Sequence, residues 1–304
     1  MIRFGLCCIF RNEPIKFRTI SAASLKNMGR QKALNKISEL CINNALSLND
    51  ALAYCKNHKI GAFRIGSGIF PLRTHPHFGY AIDELPESAR IRALFGQCRE
   101  FALTNDIRTT FHPDQFVVLN SPRADVVASS AAELEHHGEM AELVGADVIN
   151  IHAGGKYGDK KKSLARLVRV MNRLSSRVRD RLTLENDDKS YAPADLLPVC
   201  WSEEIPFVYD VHHHRCLPDG ATIEEVTEAA LLTWNREPLF HISSPLDGWN
   251  GKYSERHHDF VDIEDFPKAW RKLNITVEIE AKAKEIAVEK LRIELNRVRF
   301  RGNN

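Results

Sequence analysis

Phe207-Val-Tyr-Asp-Val-His-His-His214 is the stretch from which the fold is read. Three apolar or aromatic β-formers run into an acid, and three histidines follow it. Such a run reads as a buried strand that ends at the acid. The carboxylate stands at the strand end, with imidazoles one turn of loop beyond. Carboxylate oxygen and neutral imidazole nitrogen are donors for divalent ions such as Zn²⁺, Mn²⁺ or Fe²⁺. Neighbouring side chains diverge, so three consecutive histidines cannot all face one ion. The expected ligands are Asp210 and one histidine, His213. Taken alone, the stretch also reads as a surface histidine run without metal.

Working outward, the same event recurs. Eight short β-like runs are Ile2–Cys8, Ala62–Ile65, Arg108–Phe111, Asp147–Ile151, Leu182–Leu184, Phe207–Tyr209, Leu239–Ile242 and Ile275–Ile279. Between them lie amphipathic stretches at Lys32–His58, Glu87–Asn105, Ala124–Val144, Lys161–Arg179, Ile223–Trp234 and Ala281–Val298. Strand alternating with helix predicts a parallel sheet, and eight units predict a (β/α)8 (TIM) barrel. A doubly wound sheet would bring a G-x-G-x-x-G fingerprint after the first strand, and none is there. With no repeat and no low-complexity linker, residues 1–304 read as a single domain with a basic tail from about 292.

At or just past the ends of strands three to eight stand His112, His152, Glu185, Asp210 with His213, His241 and Glu280. In a barrel the C-terminal ends of all strands meet on one face, where active sites are built. The spacing therefore predicts one bowl lined by these side chains. The set is too large for one ion, since four ligands satisfy zinc and about six satisfy manganese or magnesium. Two or three divalent ions are expected, with Glu185 as the bridging carboxylate. Such clusters hydrolyse phosphorus esters. No cysteine ends strands three to eight, which argues against thiolate chemistry. A bare carboxylate pair for glycoside hydrolysis would leave the histidines unexplained.

The bulk composition narrows the substrate less than the loops do. The 304 residues are 43% hydrophobic and 27% charged, with net charge 42 − 40 = +2, which describes a globular chain and not a strongly basic one. Seven cysteines with no C-x-x-C pair fit a reduced, intracellular chain. No stretch has the length of a signal peptide or a membrane span, so a cytoplasmic protein is expected, at the nucleoid if bacterial. Basic residues concentrate locally. Phe10–Lys32 holds Arg11, Lys16, Arg18, Lys26, Arg30 and Lys32, and the loop after strand four holds Lys156, Lys160, Lys161 and Lys162. Residues Ser244–His258 add Trp249, Lys252 and Tyr253. Cations for phosphates and flat rings for bases point to nucleic acid. Arg18, Lys156, Lys160, Lys252 and Tyr253 are the expected contacts to a nucleic-acid backbone.

The motifs resemble those of the UV damage endonucleases, metal-dependent repair enzymes related in fold to endonuclease IV and xylose isomerase. The resemblance runs from Phe4 to about Leu291. It is carried by Phe17-Arg18, Phe63-Arg64-Ile65, Thr74-His75-Pro76, His112-Pro113-Asp114-Gln115-Phe116 and His152-Ala-Gly-Gly155. Further along it rests on Leu184-Glu185-Asn186-Asp187, Asp210-Val-His-His213, His241-Ile-Ser-Ser244, His257-His-Asp-Phe260 and Glu280-Ala-Lys-Ala-Lys284. The resemblance implies a three-ion site, commonly Mn²⁺, with Zn²⁺, Mg²⁺ or Co²⁺ as alternatives. It assigns His112, His152 and Glu185 to one ion, Glu185, Asp210, His241 and Glu280 to a second, and His213 and His257 to a third. It puts His75 with Glu185 in the catalytic set. It also implies a monomer that nicks damaged double-stranded DNA immediately 5′ of pyrimidine dimers, 6-4 photoproducts and often abasic sites, leaving 3′-hydroxyl and 5′-phosphate ends. Gln115 and Phe116 would probe the duplex at the lesion. Three positions depart from the family pattern. Phe116 and Leu6 stand where many members have tyrosine, the latter lining the site. Leu239 stands where many have a lysine that can be carboxylated. The competing readings are an abasic-site endonuclease of endonuclease IV type, a metal-dependent sugar isomerase, and a DNA-binding barrel without chemistry.

Overall fold

A computed structural model describes the backbone of residues 1–301, with side chains through Arg297. The strands are β1 Ile2–Cys7, β2 Ala62–Ile65, β3 Arg108–Phe111, β4 Val148–His152, β5 Leu182–Glu185, β6 Phe207–Asp210, β7 Leu239–Ile242 and β8 Ile275–Ile279. All pair in parallel, each with the next, and β8 closes onto β1, giving the (β/α)8 barrel that alternation predicts. The helices are α1 Ala22–Leu25, α2 Arg30–Asn57, α3 Ser88–Thr104, α4 Ala124–Val144, α5 Lys160–Met171, α6 Ser176–Arg179, α7 Pro193–Glu203, α8 Val211–Cys216, α9 Ile223–Leu231 and α10 Glu285–Arg301. Residues such as Phe63, Phe111, Ile151, Leu184 and Phe240 alternate away from the barrel interior, and all are buried beneath the helical layer.

Several boundaries differ from the sequence reading. Strands β4, β5 and β6 each run one residue further, so His152, Glu185 and Asp210 are strand residues held by the sheet. The histidines after Asp210 sit on α8, not in a loop. Asp210 is its N-cap, and the side chain accepts from His213 N, so the helix starts without a connecting turn. The stretch expected as one helix over Lys161–Arg179 is α5 and α6, broken at Asn172. Helix α7 lies outside the amphipathic stretches named above; Pro193 opens it and Pro198 lies inside it, and two prolines in so short a segment mask a helical pattern. Of the basic tail expected from about 292, Arg292 Nη1 donates to the carbonyls of His58 and Lys59, so that residue ties α10 to the end of α2. The side chains of Arg299 and Arg301 lie outside the described residues.

Register sets which side chains share the barrel interior. His152 lies beside Glu185, Asp210 beside His241, and His241 beside Glu278. Alternation then puts Thr276, Glu278 and Glu280 on one face of β8. Gly5 faces this interior, because a Cβ there would lie 2.8 Å from Glu278 Cγ. Leu6 therefore turns to the helical layer, where it is fully buried and offers no donor to the bowl. One layer down, Leu239 packs with Val148 and Val208 under Trp234 and makes the floor dry.

Candidate metal centre

Six strand ends converge as the spacing predicts. Donor atoms of His112, His152 and Glu185 lie within 4.8 Å of one another, as do those of His112, His241 and Glu280, and those of Glu185, Asp210 and His213. Glu185 stands at the centre. Its Oε2 is 2.9 Å from His112 Nε2 and 3.9 Å from His152 Nε2. Its Oε1 is 3.1 Å from His241 Nδ1 and 3.4 Å from His213 Nδ1. Below it, Asn150 Nδ2 donates to Oε2 at 2.5 Å, and Thr183 Oγ1 donates to Asn150 Oδ1 at 2.8 Å, so the carboxylate is held from the floor side. Asn186 spans β5 and β6 by accepting from Asp210 N at 3.0 Å and donating to Asp210 O at 2.9 Å.

The histidines are oriented by partners outside the cluster. His112 Nδ1 donates to Pro113 O at 3.1 Å, and His213 Nδ1 donates to Asn186 O at 3.0 Å. For His112 this leaves Nε2, the nitrogen that faces Glu185, as the lone-pair nitrogen, the usual arrangement of a metal-binding histidine, whereas in His213 the same Nδ1 also lies 3.4 Å from Glu185 Oε1 and 3.6 Å from Asp210 Oδ2. The donor set fits divalent ions by a second observation. Asp210 Oδ2 is buried and has no hydrogen-bond partner among the described residues. A buried carboxylate oxygen without a hydrogen-bond partner is costly unless a cation meets it.

Electrostatics follow from burial against close opposite charge. Burial alone would raise the Glu185 carboxyl, but His241, His152, His112 and His213 hold it well below the usual carboxylate range. Burial would lower His241, yet Glu185 and Glu280 outweigh it and push the imidazole up to about 10. Burial also opposes charge on His213, and Asp210 and Glu185 raise it well above its ordinary value. His152 is lowered by burial, only partly offset by Glu185.

The remaining expected residues are placed less uniformly. His213 groups with Glu185 and Asp210; its ring centroid is 6.2 Å from that of His257. His257 stands at the rim, with Nδ1 3.8 Å from Glu280 Oε2. His75 Nδ1 accepts from the backbone of His77 and Phe78 within its own loop, and His75 is not in the three donor groups. Gln115 and Phe116 project from the loop after β3, with Phe116 77% exposed. Arg18 is exposed, Lys252 Nζ lies 5.1 Å from the Tyr253 ring centroid, and the Arg256 guanidinium lies 4.2 Å from the same centroid. Lys156 donates to Lys189 O at 2.8 Å, and Lys160 pairs with Asp195 at 2.7 Å, so Lys160 is already neutralised. A cleft of about 460 Å³ opens beside the cluster, lined by His257, Glu280, Arg256, Lys282 and Lys284. The other histidines of α8 are structural or unpaired. His214 bridges Tyr209 and Asp219, and His212 is buried without a hydrogen-bond partner among the described residues.

Arg64 and Glu278 also belong to the site, although strand-end spacing does not single them out. The signal was present: Thr-Val-Glu-Ile-Glu280 alternates two glutamates onto one face, and only the outer one reads as a strand-end ligand. No helix among the described residues is long and apolar enough to cross a membrane.

The family model described as UV-endonuclease UvdE matches residues 2–301. A UV DNA damage endonuclease from Bacillus velezensis is 33% identical, over 98% of this chain and 95% of that protein. The crystal structure of SacUVDE superimposes with a TM-score of 0.87 at 28% identity, covering 98% of this chain and 99% of that one. Endonuclease IV from Thermus thermophilus shares the fold, with a TM-score of 0.62 at 14% identity, over 97% of this chain and 99% of that one. The chain belongs to the UV-endonuclease UvdE family and is an endonuclease.

Proposed function

We propose that this endonuclease acts in DNA repair, nicking damaged double-stranded DNA at the phosphodiester immediately 5′ of ultraviolet photoproducts, cyclobutane dimers and 6-4 products, and at abasic sites. The products are a 3′-hydroxyl and a 5′-phosphate. The observation that carries the reading is the convergence of His112, His152, Glu185, Asp210, His213, His241 and Glu280 in one open bowl. Two or three divalent ions held there, manganese foremost, would supply nucleophile activation and charge neutralisation at phosphorus. Zn²⁺ and Co²⁺, which imidazole favours, and Mg²⁺, which carboxylate favours, are the alternatives for the same donors.

The chain's own groups divide the remaining work. Glu185, buried and surrounded by four histidines, keeps its charge and ties the donor groups together. Arg256, Lys282 and Lys284 line the cleft next to His257 and Glu280, where the charged backbone of a DNA strand would lie. Phe116 is mostly exposed, so its ring and neighbouring Gln115 are free to enter a base stack. A stack weakened by a dimer or a missing base yields to such a wedge more cheaply than an intact one. Loss of the tyrosine hydroxyl at 116 leaves this role to the ring itself. One enzyme molecule suffices for all of these parts, in keeping with a monomer.

The test is incubation of purified protein with a labelled, ultraviolet-irradiated duplex and manganese, beside undamaged and abasic duplexes, with the cut mapped to the nucleotide. A single nick directly 5′ of the photoproduct is expected. Incision of the abasic duplex alone would favour the endonuclease IV type of activity, and binding without nicking would remove the hydrolytic reading.

A further inference from the structure

Glu278 is a fully buried carboxylate one layer beneath the donor groups, and it belongs to none of them. The barrel is built around it. A Cβ at Gly5 would meet Glu278 Cγ at 2.8 Å, so the glycine on β1 leaves the room that the Glu278 side chain fills. Its Oε1 accepts from Thr110 Oγ1 at 2.5 Å. Its Oε2 is shared by Arg64, through Nε at 2.5 Å and through Nη2, and by His241 Nε2 at 3.1 Å.

His241 differs from His112 and His213 in what stands behind it. The His112 ring turns Nδ1 to the Pro113 carbonyl and keeps Nε2 for the cluster, and His213 has its Nδ1 between the Asn186 carbonyl and Glu185. His241 points Nδ1 at the cluster, 3.1 Å from Glu185 Oε1 and 3.5 Å from Glu280 Oε1, and has a carboxylate behind Nε2. Arg64 complicates that side. Its Nη2 lies 2.9 Å from His241 Nε2, and its Nη1 donates to Glu280 Oε1 at 2.6 Å. A guanidinium has no lone pair to offer. If Nε2 accepted from Arg64, the ring proton would move to Nδ1 and face the cluster, where it would exclude an ion. An arginine not balanced from below would also hold Glu280 for itself.

We propose that Glu278 is a positioning residue for the metal centre: it takes Nε2–H of His241 and the charge of Arg64, so that His241 Nδ1 and Glu280 are presented together to one ion. This rests on the reading of the bowl as a metal centre. Outer partners of this kind are worth about 10- to 100-fold in metal affinity.

The test is a manganese titration followed by the electron paramagnetic resonance signal of the free ion, with the melting temperature of each protein measured in chelator. Glu278→Gln removes the charge and keeps the shape. One class of sites should weaken about 10- to 100-fold, while the sites served by His112, His152 and Glu185 persist. Glu278→Asp keeps the charge for Arg64 but withdraws the oxygen from His241, and should weaken the same class. Thr110→Val removes only the hydrogen bond to Oε1; it should lower the melting temperature and leave manganese affinity near wild type. Unchanged affinity in Glu278→Gln or Glu278→Asp would overturn the assignment even if both melt early. An equal affinity loss in Thr110→Val would overturn it too, by tracing the effect to general loosening. Wild-type protein that binds no manganese would overturn the metal centre itself, a separate result.

Discussion

The floor of the barrel and its mouth treat carboxylates in opposite ways. At the floor, Glu237 receives Arg3 at 2.8 Å and Asp147 receives Arg108 at 2.8 Å, with Arg236 3.6 Å away. At the mouth, Glu185, Asp210, Glu278 and Glu280 gather, and among the described residues Arg64 is the only arginine or lysine paired with any of them. Histidines surround the rest. The floor is closed electrostatically by the protein's own cations, and its Leu239, Val148 and Val208 exclude water. The mouth is left short of positive charge in a place where burial makes that expensive. The difference is the one expected between a structural charge network and the ion-binding centre proposed above.

The sharpest way to break the comparison is to remove one carboxylate from each end. Glu185→Gln should cost manganese binding at least ~100-fold, more than the loss of an outer partner, and abolish detectable nicking; metal analysis after dialysis checks it. Asp147→Asn at the floor should leave metal content and nicking intact and lower stability by about 1 kcal/mol, since that pair is partly exposed. Full manganese content in Glu185→Gln would erase the distinction.

The cleft beside the mouth gives the next effect. Replacing Arg256, Lys282 and Lys284 together by alanine should weaken duplex binding at low salt. It should also flatten the salt dependence by roughly 0.9 in log–log slope for each phosphate no longer neutralised. An unchanged slope would show that these cations face solvent only. The loop beyond β3 should give a smaller, selective effect. Gln115→Ala with Phe116→Ala should reduce the preference for damaged over intact duplex by roughly tenfold, with metal content unaltered. Equal preference would remove the wedge.

A pH titration sharpens the comparison without mutation. In protein stripped of divalent ions, His241 is raised from 6.5 to about 10, because Glu185 and Glu280 outweigh burial. A folded value above the unfolded one stabilises below pH 6.5, and that gain is lost as pH rises through 10. The stripped protein should therefore melt progressively lower across that window. Manganese-loaded protein should gain over the same range up to neutrality and beyond, because ligation needs the imidazole without its proton. Asp147→Asn should leave this dependence as it is, since the partners of Asp147 are arginines. A flat profile for the stripped protein would contradict the coupling of His241 to Glu185.

Much of the mouth was legible in the chain. Apolar runs that each end in His, Asp or Glu fix both the strands and the face on which their last residues meet, so His112, His152, Glu185, Asp210, His241 and Glu280 follow from spacing. His213 follows for a partly different reason than its placement gives. The spacing reads it as a loop residue, whereas Asp210 caps a helix that carries it back over Asn186. Glu278 escapes notice because a buried glutamate inside a strand looks like an ordinary alternating polar residue until register sets it beside His241. Lys160 looks like a phosphate contact because its partner Asp195 lies 35 residues away in sequence. Loop residues such as His75 carry no periodicity, so nothing in spacing fixes where they stand relative to the strand ends.

The central claim is that the strand ends form a centre for divalent ions. Diffraction from crystals soaked in manganese, collected where manganese scatters anomalously, measures this most directly. Anomalous peaks between His112, His152 and Glu185, between His241 and Glu280, and beside Asp210 and His213 are predicted. Saturating manganese with no peak among these side chains would contradict it.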